Sequence, residues 1–349
     1  MSGNGKIRTG IASYGLSGQV FHAPFIHVHS DFELTAICER SRNLAAERYM
    51  GIKTVRSFDE LLEQKIELVI VNTPDPTHYE FCKKALQAGI NVVVEKPFVF
   101  RYEEAKELTR LAAEKGLLLT VYQNRRFDGD FMTLQKIMAS EALGRIVELQ
   151  SNFQRFRPNL VASTWKEQAG TRVGITYNLC SHLCDQALKL FGEPESVWAT
   201  MDSQRDGSAI DDYCVMQLKY PGHLRVMLRA GMLIKEEAPR FALHGTKGSY
   251  VKFGLDPQEN ALRNKGAVPA ANEWCFETEA EWGMLNTEEG RVKYPTVTGN
   301  YMRYYDNIYD CLRNGAKPEV TSRQMLCDVF MLESAFESNC TGNSVPVNI

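Results

Sequence analysis

Over the first 125 residues, short apolar strands alternate with five helical stretches, and this alternation leaves few folds open. The strands read as 6–12, 33–38, 54–55, 67–71, 91–94 and 117–121. The helices between them read as 19–29, 44–50, 58–64, 79–88 and 103–115. Strands followed by helices in this rhythm predict a doubly wound parallel sheet, whose ligands collect at the carboxyl ends of the strands.

The first strand runs into Ser13-Tyr14-Gly15-Leu16-Ser17-Gly18. A dinucleotide loop wants glycine at three positions: for the tight turn, for close approach to the pyrophosphate, and for packing of helix on strand. Gly15 and Gly18 fill the last two, and Ser13 stands at the first, a turn that serine tolerates at negative φ. The helix that follows would offer its N-terminus to phosphate, with Pro24 marking a kink or early turn. The second strand ends at Glu39, 21 residues beyond Gly18, the spacing of an acid that binds the adenosine ribose of NAD. Arg40 and Arg42 beside it could instead hold a 2′-phosphate, so both NAD and NADP remain open.

The fourth strand stops in Asn72-Thr73-Pro74-Asp75-Pro76-Thr77-His78, where small polar groups face whatever lies above the sheet. The fifth is an apolar run, Ile90-Asn91-Val92-Val93-Val94, and ends in Glu95-Lys96-Pro97-Phe98. That places one titratable amine, Lys96, where such sheets bind ligands. The Lys96-Pro97 bond is a candidate cis peptide, since only a bond to proline makes that form cheap.

Composition narrows the function classes. The chain has 349 residues, 44% apolar and 24% charged, which suits two globular domains, 1–125 and 126–349. A net charge of -3 gives no basic excess to attract nucleic acid or an anionic membrane surface. No apolar run approaches the roughly 20 residues of a membrane helix, and the polar start lacks a signal-peptide core, so a cytoplasmic protein is expected. Nine cysteines lack paired zinc-site spacings. Cys180-x-His182-x-Cys184 invites a metal, but on a helix the histidine falls about 160–200° from the cysteines, and no metal is expected.

Beyond residue 126 a helix at 131–140 is followed by alternating strands at 146–152, 197–201, 213–219 and 224–230, which predict a largely antiparallel sheet with one covered face. The stretch 257–300 reads as a long irregular excursion, and 302–313 and 322–339 as amphipathic helices. A helix from about Gly174 to Phe191 carries Asn178, His182 and Asp185 within about 60° of one another, as one polar stripe among apolar neighbours.

These segments resemble the Gfo/Idh/MocA oxidoreductases across nearly the whole chain. The resemblance rests on Tyr14-Gly15-Leu16-Ser17-Gly18 with Phe21-His22-Ala23-Pro24-Phe25, on Thr73-Pro74 with His78, and on Glu95-Lys96-Pro97-Phe98. Further along it rests on Tyr122-Gln123-Asn124-Arg125-Arg126-Phe127, Trp165-Lys166-Glu167, Ser181-His182-Leu183-Cys184-Asp185-Gln186 and His244-Gly245-Thr246-Lys247-Gly248-Ser249. It is nearest to the NADP-dependent scyllo-inositol dehydrogenase group.

The resemblance implies an α/β Rossmann domain, a doubly wound parallel sheet, followed by an α+β domain with a large, mostly antiparallel open sheet. That second sheet would join copies into a homodimer or homotetramer. The implied activity is hydride transfer between NAD or NADP and a secondary hydroxyl of a sugar, inositol or related polyol. Lys96 would take the hydroxyl proton and His182 would hydrogen-bond the reacting hydroxyl or relay its proton. Ser13 to Gly18, Glu39, Arg40, Asn72, Thr73, Pro74, His78, Glu95, Lys96, Gln123 and Trp165 would contact the cofactor. Asn178, Tyr122, Arg125, Arg157 and Asp185 would meet the substrate. Asn178 departs from the family, which usually has aspartate there; an amide can bind a hydroxyl but cannot take a proton. A cofactor-bound sugar sensor with little turnover is the alternative that Ser13 and Asn178 keep open.

Overall fold

The computed structural model describes residues 5–161, 174–264, 269 and 275–349. Two compact units divide the chain. The first holds residues up to Asn124 together with the segment beginning at Gln258 and Asn300–Met325; the second holds Arg125–Pro257, Cys275–Gly299 and Leu326–Ile349.

The first unit is built on six parallel strands: β1 (Ile7–Ile11), β2 (Phe32–Cys38), β3 (Lys53–Val55), β4 (Leu68–Val71), β5 (Asn91–Val94) and β6 (Leu119–Val121). Their order across the sheet is β3-β2-β1-β4-β5-β6, so the winding direction reverses between β1 and β4 and leaves a crevice at their carboxyl ends. The unbroken valines of β5 are 0% exposed, as a strand covered on both faces requires. Helices α1 (Ala23–Val28), α2 (Leu44–Arg48), α3 (Phe58–Leu62), α4 (His78–Gln87) and α5 (Tyr102–Lys115) make the crossovers. Local chemistry sets their ends: the Ser57 hydroxyl accepts from Glu60 N at 3.1 Å to cap α3, and Gly116 closes α5 at φ +64. Pro24 lies in the first turn of α1, where its missing N–H costs nothing, and the expected break appears as a wide π-type turn at Gly18–His22 just before it.

The second unit starts with α6 (Gly129–Ala139), β7 (Ile146–Gln154) and α7 (Ser181–Phe191). It continues with β8 (Ser196–Asp202), β9 (Tyr213–Lys219), β10 (Arg225–Gly231), β11 (Phe241–Gly245) and β12 (Gly248–Lys252). Further along the chain, and divided between the two units, come α8 (Gln258–Asn264), β13 (Gly283–Thr287), β14 (Gly290–Tyr294), α9 (Met302–Asn314), α10 (Ser322–Thr341) and β15 (Val345–Pro346). The nine-stranded sheet runs β14-β13-β12-β11-β7-β10-β9-β8-β15 and is antiparallel except where β7 meets β10. Along β9 and β10 alternate residues are buried, which is the one-sided cover expected of such strands.

Two segments differ from expectation. The stretch 257–300 is not irregular throughout: it holds α8 and the hairpin β13–β14, which the polar composition hid. Helices α8 and α9, though they follow residue 126, belong to the first unit. The reason for α9 is its aromatic face. Tyr305 stacks on Phe25 of α1 at 5.7 Å, and Tyr304 meets Tyr122 edge-on at 4.8 Å and donates to Val121 O.

Candidate active site

The crevice between β1 and β4 is closed by one side chain. Asn72, at the end of β4, accepts from Ser13 N at 2.9 Å and donates to Ser13 O at 2.8 Å, so its amide copies a backbone ladder pair across the switch point. Serine in place of the first glycine is thus held by a two-point clamp, with Gly15 N reaching its hydroxyl at 3.3 Å. Gly18 is needed on steric grounds, because a Cβ there would collide with Ser13 O. Asn72 therefore shapes the loop with both ends of its amide, whereas Leu16, 57% exposed, stands open to a ligand.

Beside this loop lies a cavity of about 480 Å³ lined by Ser13 to Gly15, Glu39 to Arg42, and Thr73 and Pro74, with Phe58 stacked on Phe81 at 4.3 Å at its far wall. The volume suits a nucleoside half of a dinucleotide. Glu39 borders the cavity but is already engaged. Its carboxylate accepts from Leu44 N at 3.2 Å and Ala45 N at 2.8 Å, capping α2. Arg56 staples the same turn by donating to Glu39 O, Arg42 O and Asn43 Oδ1. Arg40 and Arg42 are exposed at the cavity edge. The loop, the cavity and this cationic turn fit a dinucleotide, with its phosphate-bearing end at the arginines.

At the end of β5 the Lys96-Pro97 peptide is cis, as the sequence suggested. Glu95 Oε2 accepts from Lys96 N at 3.1 Å, and Oε1 takes the Nε2–H of His22 at 3.0 Å. Burial alone would raise the Glu95 pKa; the hydrogen bond and charge of His22, with the charges of Lys96 and His78, outweigh it and hold the carboxyl below its ordinary range. Glu95, expected at the cofactor, spends both oxygens inside the protein. His78 is fully buried and ties two loops together, with Nδ1 2.8 Å from Pro97 O and Nε2 3.0 Å from Thr73 O. Tyr122, expected at a substrate, is 1% exposed; its hydroxyl donates to Phe21 O and its ring lies 4.6 Å from His22. An aromatic at a strand end can point inward, and this one does. Gln123 is also buried.

In the second unit the polar stripe divides. Asn178 lies half-buried in a wide turn at Thr176–Cys180 that precedes α7, a turn capped by Asp211 through Thr176 N and Oγ1. His182 is 4% exposed in the first turn of α7. Asp185 leaves the stripe: Arg126 Nε and Nη2 donate to its two oxygens at 2.8 and 2.6 Å, with both side chains nearly sealed from water. The fork holds the Asp185 carboxylate against Arg126, where the sequence had suggested a contact with substrate. Arg125 is buried against Asp128 at 3.1 Å and lies over the Phe153 ring. Arg157 is exposed, with its backbone N donating to Met232 O. Trp165 lies outside the described residues. Cys180 and Cys184 are buried thiols shifted upward, Cys180 by its hydrogen bond with Cys214 and then by burial, Cys184 by burial, and among the described residues no cluster is arranged to hold a metal.

His22, Tyr305, Arg56 and Arg126 carry parts that no spacing assigned to them. Arg126 and Asp185 are 59 residues apart and His22 and Tyr305 are 283 apart, so only the folded chain joins them.

Two models of oxidoreductase families match the chain, one described as an NAD-binding Rossmann fold over residues 7–123 and one as a C-terminal alpha/beta domain over residues 136–349. The chain is similar to scyllo-inositol 2-dehydrogenase (NADP(+)) IolW of Bacillus subtilis, with 38% identity covering 95% of this chain and 94% of that protein. A crystal structure of an oxidoreductase from Bacteroides fragilis is 46% identical, covering 98% of this chain and all of that one with a TM-score of 0.90. The oxidoreductase yvaA of Bacillus subtilis is 36% identical with complete coverage of both chains and a TM-score of 0.95.

Proposed function

Because this chain belongs to the Gfo/Idh/MocA family of NAD-binding oxidoreductases, we propose that it oxidises a secondary hydroxyl of a sugar, inositol or related polyol to a ketone, with NADP preferred over NAD. The carrying observation is Lys96 at the carboxyl end of β5, fixed by Glu95 through its own backbone N–H. Placement beside a buried strand end makes its amine a proton acceptor for the hydroxyl, and the cavity-side arginines supply the anion site.

The bound nicotinamide supplies the hydride acceptor. The residues of the chain do the rest. Asn72 and Gly18 shape the loop against which the pyrophosphate packs, and Arg40 and Arg42 bind the 2′-phosphate beside Glu39, whose carboxylate already accepts from the N-terminus of α2. Lys96 takes the hydroxyl proton as the carbon gives up its hydride, so one alcohol yields one ketone, one reduced cofactor and one proton. His182 hydrogen-bonds the hydroxyl, and Asn178 orients the polyol without titrating. We further propose that the nine-stranded sheet joins copies into a homodimer or homotetramer, which light scattering on the purified chain checks.

The test follows absorbance at 340 nm with NADP+ or NAD+ and a panel of inositols, aldoses and other polyols, with Lys96→Met as control. Turnover with at least one cyclitol or sugar, faster with NADP+ and absent in the control, is the expected result. Cofactor binding by both proteins with no turnover anywhere in the panel overturns it in favour of a sensor.

A further inference from the structure

Beneath Lys96 lies a buried chain of polar groups that the reaction itself does not call for. Tyr305 on α9, His22 at the end of the wide turn before α1, and Glu95 after β5 join three distant segments of the first unit. The Tyr305 hydroxyl is 2.8 Å from His22 Nδ1, and His22 Nε2 is 3.0 Å from Glu95 Oε1. His22 and Tyr305 are 0% exposed, and the His22 ring packs against Tyr122.

The protons in this chain can be counted. Phe21 O accepts from the hydroxyls of both Tyr122 and Tyr305, at 3.2 and 2.9 Å. If His22 is neutral, Tyr122 serves that carbonyl and Tyr305 turns its proton to Nδ1. If His22 is cationic, Tyr305 serves the carbonyl and accepts from Nδ1. With Glu95 ionised, Nε2 keeps its proton in both arrangements and donates it to the carboxylate. Its second oxygen holds the backbone N–H of Lys96.

We propose that His22 is a positioning residue for Lys96: it keeps the Glu95 carboxylate charged and fixed, and Glu95 in turn fixes the lysine that receives the proton. The proposal rests on the reading of Lys96 as proton acceptor. Glu95 faces His22, Lys96, His78 and, at longer range, Tyr305, and His22 meets it side chain to side chain through a hydrogen bond. Replacing His22 by leucine leaves Oε1 in an apolar setting without its donor, which favours the protonated acid and releases the lysine from an anionic neighbour.

Four proteins decide the matter: wild type, His22→Leu, His22→Gln and Lys96→Met. Glutamine can donate to Glu95 and accept from Tyr305, so it should restore what leucine removes. With a substrate from the panel, His22→Leu should lower kcat at least about 30-fold while KM for NADP+ stays within about twofold, and His22→Gln should recover to within about fivefold. A second readout needs no turnover. Under trace acetylation followed by peptide mass spectrometry, Lys96 in His22→Leu should label at least about three times faster relative to the other lysines, because loss of the nearby anion frees more of its amine, and His22→Gln should restore the wild-type ratio. Wild-type kcat and an unchanged labelling ratio in His22→Leu overturn the proposal, as does an equal loss of kcat and cofactor affinity that glutamine does not rescue. Full turnover by Lys96→Met instead overturns the reading beneath it. Should no substrate of the panel react, the labelling ratio alone decides for or against His22.

Discussion

Glu95 in the first unit and Asp328 on α10 in the second are both shielded carboxyls, and their surroundings drive them in opposite directions. Glu95 meets a histidine donor and a lysine, and stays ionised below the ordinary range despite its burial. Asp328 is 5% exposed; burial pushes it well above its ordinary value, Asp185 adds to the rise, and Arg126 opposes it only in part because that guanidinium is already forked onto Asp185. One carboxyl thus keeps its charge at a strand end where ligands gather, and the other is pushed towards its protonated form inside a helix-on-sheet core. The lesson is that burial alone does not decide a carboxyl's charge; the charges and donors set beside it weigh against it.

The largest test of this contrast removes Lys96. Lys96→Met should lower turnover to about one-thousandth or less while the melting temperature and NADPH affinity hold, because the amine is needed for chemistry and not for packing. Arg126→Met should do the reverse. It strands Asp185 as a buried unpaired charge and should cost about 3–5 kcal/mol in urea unfolding, much of which a paired Arg126→Met, Asp185→Leu protein should recover. If Arg126→Met left stability intact, the second centre would not be structural and the contrast would collapse.

Smaller effects sharpen it. Glu39 is a third buried carboxylate, and it accepts from the N-terminus of α2. Arg40→Ala with Arg42→Ala should weaken NADPH about tenfold by fluorescence titration and change NADH by less than about twofold. The smallest effect is in pH. Since the folded pKa of Asp328 is raised, its share of stability is full below the ordinary carboxyl range and is lost as pH rises towards the raised value. Glu95, lowered, behaves oppositely: its share is present above that range and is lost as pH falls through the lowered value. Asp328→Asn should therefore gain in melting temperature over wild type as pH climbs from about 4 to about 8; a constant difference would mean that Asp328 does not titrate on folding.

Much of this was legible in residue order. The valines of β5, the glycines at 15 and 18, and the glycine after α5 each answer to a local rule, and the parallel sheet followed from their spacing. Helix α9 was legible as a helix but not as a part of the first unit, since its tyrosines reveal their partners only once Phe25 and Tyr122 are in place. The polar stripe on α7 was legible as a stripe; that Arg126 takes Asp185 from it was not.

By itself, then, the sequence determined the alternation of strands and helices, the lysine at the end of β5 and the cationic turn after β2, because these depend on periodicity and short spacing. The tertiary structure alone decided what each buried polar group faces: Asn72 bracing Ser13, Glu39 capping α2, and His22 binding Glu95 from one side and Tyr305 from the other. The reason is physical. A hydrogen bond between residues 59 or 283 positions apart leaves no trace in local pattern, and only the packed chain, which must satisfy every polar group it buries, selects the partner.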